Sequence, residues 1–399
     1  MRQKQILRLG FYPVFRMTKI REHMIIGVPK ETQTGENRVA LVPDTVVKLI
    51  KSGHKITVER GAGANAFFTD ADYEKAGAAL SSADEIFSSS DMVIKVTAPS
   101  QAEIGKLKQG VVYISFLNPL ADPSVSTELA KRGVTAFSME LIPRTSRAQS
   151  MDALSSQANI GGYKAVLNAA IAIGKYLPML TTAAGTVPPA KVLVIGVGVA
   201  GLQAIATARR LGAVVSAFDI RPEVKEQVQS LGAKFVEAKV EVDAKAEGGY
   251  AKEVSEDTKK KLQEALSETV AASDVVITTA QVPGKKAPVL VTRDMVSRMR
   301  PGSIIVDMAA EQGGNVEGSK PGETVVLGSV SILGPVNLPS TMPTHASQLY
   351  FKNILNLLGL LVTKEGKVNL DFNDDIIKGA CVAHGGQVVN ERVKGLLRS

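Results

Sequence analysis

Short apolar runs alternate along this chain with stretches whose apolar residues return every three or four positions. The runs predict buried strands, and the longer spacing predicts helices. Ile25-Ile26-Gly27-Val28 reads as a strand, and Pro43 and Asp44 open an amphipathic helix through Val46, Val47, Leu49 and Ile50 that stops at Gly53. Strands are predicted at residues 55–58, 92–96, 111–117 and 134–139, with helices near 70–80 and 84–88. A helix starting at Ser150 or Asp152 runs through Ala165, Val166, Ala169 and Ala170 to Tyr176, long enough to cross between two domains. Beyond it come apolar runs at 192–195 and 213–218, a helix at 222–231, a short strand at 233–235, a helix at 259–271 and a strand at 274–279. Residues 295–299, 304–307 and 332–336 continue the alternation. A second long helix near 346–363 would return the chain to its first domain, with residues 382–386 as a turn near the end. Strands alternating with helices imply parallel sheets.

The run Val192-Leu193-Val194-Ile195 is followed by Gly196-Val197-Gly198-Val199-Ala200-Gly201, then by a helical pattern through Ala204, Ala206 and Ala208 to Leu211. The next apolar run ends in Asp219. This is a strand–turn–helix–strand unit with a dinucleotide fingerprint in its first turn. Gly196 allows the tight turn, Gly198 has no Cβ to block a pyrophosphate, and Gly201 lets helix and strand pack closely. Free N–H groups at the helix start attract phosphate charge. Asp219 lies 18 residues after Gly201, where a carboxylate can accept from adenosine ribose hydroxyls and repel a 2′-phosphate. NAD(H) is therefore favoured over NADP(H), a preference that Arg221 weakens. The fold class expected is α/β: two Rossmann-like domains with parallel sheets, joined by long crossing helices, with a nucleotide in the cleft between them. Residues 24–160 together with 345–399 would form the first domain, and 161–344 the NAD(H)-binding one.

At 399 residues there is chain enough for two cores. The net charge of +8 suggests nucleic acid, but it is uneven: residues 1–23 hold six basic residues against one acid, five of the eight net charges. Aromatics are 5% and Trp is absent, so a base-stacking platform is not expected. Residues 1–23 lack an apolar signal core and read as a mis-assigned start or a disordered basic leader rather than a targeting presequence. The single Cys381 excludes an internal disulfide and a cysteine metal site, and the four scattered histidines have no metal-ligand spacing. No apolar run approaches bilayer length; the greasiest, at 354–362, is interrupted by Asn356. A cytosol-type protein without a transmembrane helix is expected.

Residues 143–163 are dense in small polar side chains, with Arg144 and Arg147 just before the long helix. Gln149, Asp152 and Ser155 or Ser156 recur at spacing three, which puts them on one helix face. Such a stretch is either a capped interdomain linker or a face that meets something polar. Lys95, after a buried-looking strand, could meet a carboxylate at the sheet's carboxyl edge with Arg38; the alternative is a surface Lys and a structural Arg paired with Glu31 or Glu36. Residues 240–262 are highly charged around Gly248-Gly249-Tyr250 and read as a mobile flap over the nucleotide or an excursion of no consequence. Residues 281–285 form a turn past a strand's carboxyl end.

Gly27-Val28-Pro29-Lys30-Glu31, Asn37-Arg38-Val39-Ala40-Leu41-Val42-Pro43 and the glycine unit together resemble the alanine dehydrogenase and pyridine nucleotide transhydrogenase superfamily. The runs RAQSMDALSSQ (147–157), TAAGTVPPA (182–190), GGYAKE (248–253) and PGKKAPVL (283–290) resemble its transhydrogenase branch, and within it the separate NAD(H)-binding component. That resemblance implies a proton-translocating, Re/Si-specific transhydrogenase. A hydride would pass between NADH on this chain and NADP+ on a partner component, coupled to proton movement through a membrane-embedded subunit. It implies a homodimer held peripherally on the cytoplasmic side of the membrane. Arg144, Gln149, Asp152 and Ser155 would surround the nicotinamide and its ribose. Gly196, Gly198, Val199, Gly201, Asp219, Ile220 and Arg221 would hold the pyrophosphate and adenosine, and Gly249 and Tyr250 would lie on a closing loop. Thr145, Ser146, Ser150, Met151 and Gln281 complete the implied contacts, although Gln281 stands where the family usually has an apolar residue. Only one glycine fingerprint is present, so the second nucleotide must come from a partner.

An amino-acid dehydrogenase acting on alanine would share the fold and could use Arg38 and Lys95 on the substrate carboxylate. It needs an acid/base, typically histidine, where this chain has Ser115-Phe116-Leu117. A non-catalytic NAD(H)-sensing module is the third reading, against which Arg144 and Asp152 stand.

Overall fold

The computed structural model describes residues 24–237, 256–282, 284–363 and 365–398. The leader, most of the 240–262 stretch with Gly249 and Tyr250, and Pro283 of the 281–285 turn lie outside the described residues.

The first sheet begins with β1 (Ile25–Val28), β2 (Lys55–Glu59), β3 (Ala79–Ser81), β4 (Met92–Ile94), β5 (Val112–Ser115) and β6 (Thr135–Ser138). A two-stranded hairpin, β7 (Leu180–Thr182) and β8 (Gly185–Val187), follows. The second sheet holds β9 (Lys191–Ile195), β10 (Val214–Phe218), β11 (Lys234–Phe235), β12 (Val275–Thr278), β13 (Ile304–Asp307), β14 (Thr324–Leu327) and β15 (Val330–Leu333). The chain then returns to the first sheet as β16 (Cys381–His384) and β17 (Gln387–Val388). The helices of the first half are α1 (Pro43–Lys51), α2 (Asp70–Lys75), α3 (Ala83–Ser89), α4 (Gln101–Lys106), α5 (Ser124–Lys131) and α6 (Ala153–Ala172). Those of the second are α7 (Val199–Arg210), α8 (Lys225–Ser230), α9 (Glu256–Ala271) and α10 (Arg293–Ser297), then α11 (Pro343–Leu361), α12 (Asp375–Ala380) and α13 (Glu391–Arg398).

Strand order is β17-β16-β6-β5-β4-β1-β2-β3 in one sheet and β11-β10-β9-β12-β13-β15-β14 in the other. Six neighbouring strands in each pair in parallel, and the antiparallel pairings at the edges are β6 with β16, β16 with β17, and β14 with β15. Each sheet is therefore doubly wound, with its order reversing between β1 and β4 or between β9 and β12. Strands buried on both faces read as unbroken apolar runs. Val192 and Val194 pack into one core layer of the second sheet, and Leu193 and Ile195 into the layer behind it. In the first sheet, Ile94 and Val93 divide the same way. The two Rossmann-like sheets in an α/β architecture agree with the pattern of the sequence.

The crossing helices join the cores. At its start α6 places Ala153 in the first core, and further along it places Ala165, Val166 and Ala169 in the second. α11 returns through Tyr350, Phe351 and Ile354 in the first core.

Several element boundaries differ from the sequence pattern. The helix expected over 70–80 stops at Lys75, because Gly77 (φ +97°) turns the chain into β3. α6 ends at Ala172 instead of Tyr176, with Ile173 already extended. Residues 382–384 belong to strand β16, and only Gly385 and Gly386 make the turn. The β7–β8 hairpin and the antiparallel β14 carried no periodic signal of their own, being three and four residues long.

Candidate functional site

Ligands of doubly wound sheets sit outside the strand carboxyl ends, where strand order reverses. The two sheets treat that crevice in opposite ways. In the first, the Glu31 carboxylate after β1 accepts from Val96 N (2.6 Å), Thr97 N (3.2 Å) and Thr97 Oγ1 (2.6 Å) after β4. A protein side chain thus occupies the position an anion would take. Burial pushes the Glu31 carboxyl above its ordinary pKa, against the pull of Lys95.

In the second sheet the crevice is lined by glycine. Gly196 turns at φ +92°, donates to Phe218 O (2.8 Å) and accepts Thr279 Oγ1 (2.9 Å). A Cβ on Gly201 would stand 1.9 Å from Gly196 O, whereas a Cβ on Gly198 would have nothing within 4 Å. Gly201 is therefore required for packing, and Gly198 borders open space. Gly198 is also the N-cap of α7, so no side chain competes for the first-turn amides that attract an anion. Val199, the next residue, is exposed.

Asp219, the residue after β10, faces this turn. Its Oδ2 accepts from Val197 N (2.7 Å) and Arg221 Nη2 (2.9 Å), and its Oδ1 from Arg221 N and Nε (both 2.9 Å). A ribose hydroxyl reaching that carboxylate competes with the Arg221 guanidinium, which also donates to Val197 O (3.2 Å). Ile220 beside it is half-buried against the core. Gln281, past β12, donates to Met308 O (2.5 Å).

The polar stretch approaches from the other side along α6. Gly162 of α6 packs on α7 so closely that a Cβ there would stand 2.1 Å from Ala200 O. Ser155 lies seven helical residues earlier, about 10 Å along the axis. Asp152 is the N-cap of α6, accepting from Ser155 N (2.9 Å) and Ser155 Oγ (2.6 Å). Gln149 does not share that helix face, contrary to what its spacing suggests. It sits in a 3-10 segment, Ser146–Met151, because the Asp152 cap starts the α-helix only at Ala153. Arg144, Thr145, Ser146, Gln149 and Ser150 are exposed, while Met151 is buried in the first core.

Two family models cover nearly all of this. The N-terminal domain model of the alanine dehydrogenase/PNT family matches residues 27–161, and its C-terminal domain model matches 165–391. The chain belongs to the alanine dehydrogenase/PNT family. It is 48% identical to the first of the pieces that make up the NAD(P) transhydrogenase alpha subunit of Rhodospirillum rubrum, over 93% of this chain and 99% of that one. The alanine dehydrogenase of Mycobacterium tuberculosis is 30% identical over 93% and 96%. Among solved structures, the transhydrogenase from Sinorhizobium meliloti superposes with a TM-score of 0.83 at 45% identity, covering 92% of this chain and all of that one. An L-alanine dehydrogenase superposes at 0.77 with 29% identity, over 94% and 99%.

In this member of the family, both cations of the first sheet's edge are held by the protein itself. Lys95 is fully buried, donating to Glu103 Oε1 and Oε2 (2.9 and 3.1 Å) with Glu31 at 3.8 Å. It is no surface lysine. Arg38 does pair with Glu36, in a fork of 2.8 and 2.6 Å. Burial raises the Glu36 carboxyl, but that fork outweighs it and the net shift is downward. At the end of β5 stand Ser115, Phe116 and Leu117, with Phe116 packed on Tyr350. Among the described residues no cluster of His, Cys, Asp or Glu could hold a metal, and no helix is long and apolar enough to cross a membrane.

The braces of the polar loop come from distant segments and carry no local signal in the sequence. Ser150 O accepts from Asn353 Nδ2 (2.9 Å) and Asn356 Nδ2 (3.1 Å) of α11. The Asn356 that interrupts the greasy run is thus a loop anchor. Arg147 forks onto Asp374 (2.6 and 2.9 Å) and also bonds Asp375, at the start of α12. Its hydrogen bonds hold the Asp374 carboxyl down from 3.8 to about 2. A depressed folded pKa contributes stability that is present above the unfolded value and lost as pH falls through the folded one. The pair should therefore lose its contribution between about pH 4 and pH 2. Asp374→Asn keeps the cap on α12 but should remove that component from an acid titration of the melting temperature; an unchanged acid limb would mean that the pair contributes nothing.

Proposed function

We propose that this chain is the NAD(H)-binding component of a proton-translocating, Re/Si-specific NAD(P) transhydrogenase. A hydride passes between NADH held here and NADP+ held by a partner component, coupled to proton movement in a membrane-embedded subunit. The observation that carries the reading is the contrast between the two crevices: one is open and glycine-lined, the other filled by Glu31. One chain then holds one nicotinamide, and the reaction needs a second from outside. The relatives named transhydrogenase subunit alpha support it, being 44–48% identical against 30% for alanine dehydrogenase. With Arg38 held by Glu36 and Lys95 by Glu103, neither of these two cations waits for a substrate carboxylate.

Direct transfer between two nicotinamides requires close approach and aligned rings, not a proton acceptor. The nicotinamide supplies the hydride when bound. Around it, Asp152 and Ser155 at the α6 start offer acceptor and donor atoms to the ribose and carboxamide. Arg144 and Gln149, exposed on the braced loop, complete the surround of the nicotinamide and its ribose in this reading. Thr145, Ser146, Ser150 and Met151 shape that wall. Gly196, Gly198, Val199 and the α7 amides receive the pyrophosphate, with Gly201 setting their spacing. Asp219, Ile220 and Arg221 hold the adenosine, and Gln281 borders the nicotinamide side. Gly249 and Tyr250, outside the described residues, belong to the closing loop in this reading. The domains divide as 24–160 with 345–399 and 161–344, and the chain works as a homodimer on the cytoplasmic side.

The test mixes purified chain with an NADP(H)-binding partner component and follows transfer from NADPH to an NAD analogue. Absence of transfer, alongside alanine-dependent NAD reduction by the chain alone, would establish the dehydrogenase instead. Gln149→Asn shortens the side chain by one methylene without changing its groups. It should slow transfer by about tenfold or more while NADH affinity stays within about threefold. A transfer rate equal to wild type would remove Gln149 from the nicotinamide site.

A further inference from the structure

Arg38 joins three segments that are far apart in sequence. Besides its fork onto Glu36, its Nη1 donates to Gln157 Oε1 of α6 (2.9 Å) and its Nη2 to Asn337 Oδ1 (3.3 Å). Asn337 returns a bond from Nδ2 to Glu36 Oε2 (3.0 Å), so Arg38, Glu36 and Asn337 close a ring, with Gln157 attached through Arg38. Asn337 follows the last strand of the second sheet in a left-handed conformation (φ +42°, ψ +48°), its N–H held by Glu311 Oε2 (3.1 Å). Gln157 is two residues beyond Ser155 and also donates to Ala346 O of α11 (3.1 Å). The network therefore sits where both crossing helices meet, tying the first sheet's loop to the exit of the second sheet. Arg38, Glu36 and Gln157 are all buried.

We propose that Arg38 is a positioning residue for hydride transfer: through Gln157 and Asn337 it sets the start of α6 and the opening between the two domains. It touches no nucleotide. This rests on the transhydrogenase reading above. A planar guanidinium with five donors in a fixed fork holds both oxygens of Glu36 and two amide oxygens at once, four bonds where an ammonium has three donors. A guanidinium buried in that arrangement has one low-energy geometry, so it fixes an angle as well as a distance. Ring-to-ring approach is sensitive to such angles, since a displacement of about 1 Å can cost about 100-fold in rate. Pyrophosphate and adenosine binding lies wholly in the second domain and does not sense them.

The experiment compares wild type, Arg38→Lys and Asn337→Gly, each with the partner component. Asn337→Gly keeps the left-handed backbone while deleting the amide, and it serves if Arg38→Lys does not fold. Both variants should transfer hydride at least about tenfold more slowly per folded molecule, with NADH affinity within about threefold. Wild-type rates in the folded variants would overturn the proposal and leave Arg38 merely structural. A loss of NADH affinity equal to the loss of rate would overturn it too, making Arg38 part of the binding site. A readout independent of transfer separates this from a failure of the functional reading. With spin labels on Ser89→Cys and Ser297→Cys, exposed positions on the two domains, Asn337→Gly should broaden the interdomain distance distribution. An unchanged distribution overturns the proposal even if wild type transfers hydride; a broadened one beside a wild type that transfers none keeps Arg38 as the residue that sets the interdomain opening and fails only the transhydrogenase reading.

Discussion

Gly201→Ala should abolish measurable NADH binding and destabilise the chain, whereas Gly198→Ala should abolish tight binding alone. The two glycines stand three residues apart in one turn, and the space around them differs. A methyl on Gly201 meets the carbonyl oxygen of Gly196 at 1.9 Å, a backbone atom that cannot rotate away. Either α7 shifts off β9 or the turn opens, and overpacking of this kind costs about 1–3 kcal/mol. Because Gly162 already lies against Ala200, the displaced helix also loses its seat on α6. Gly198 has an ordinary φ of −82° and no atom within 4 Å of its missing Cβ. Its alanine variant should melt within a few degrees of wild type. The methyl would fill the space that a pyrophosphate needs, so NADH affinity should fall by about 100-fold, roughly 2.7 kcal/mol. Calorimetric titration with NADH beside a thermal melt checks both. Wild-type affinity in Gly198→Ala would remove the pyrophosphate from this turn.

Asp219→Asn should weaken NADH binding and relax discrimination against NADPH. The carboxylate spreads its charge over four N–H bonds from Val197 and Arg221. An amide of the same shape has one acceptor oxygen and offers N–H groups where N–H groups already point. Hydrogen bonds to a charged group are worth about 1.5–3 kcal/mol, so the dissociation constant should rise about 10- to 150-fold. NADPH should lose less, because the neutral side chain no longer repels a 2′-phosphate and Arg221 is released toward it. The ratio of the two dissociation constants is the measurement. If both nucleotides weaken equally, Asp219 acts only by holding the glycine turn, and selectivity resides elsewhere.

The local features were legible because their causes are local. A glycine turn, the helix after it and the acid closing the next strand lie within one stretch of sequence, each set by backbone sterics or by apolar periodicity. The same holds for the doubly wound strands, whose unbroken apolar runs follow from burial on both faces. Where local signals were short, the pattern failed: β3 hid at the end of an expected helix, and the spacing of Gln149 with Asp152 suggested a shared face that the Asp152 cap forbids.

Other choices needed the folded chain. The sequence by itself determined two α/β halves, one nucleotide fingerprint and the polar run beside it, since these depend on neighbours a few residues away. Only the tertiary structure decided that Glu31 closes the first crevice across 66 residues, that Arg147 braces the polar loop across 227, and that Arg38 reaches Asn337 across 299. A charged side chain takes its partner from whatever packing brings within about 3 Å, and no spacing along the chain encodes which of several acids that is.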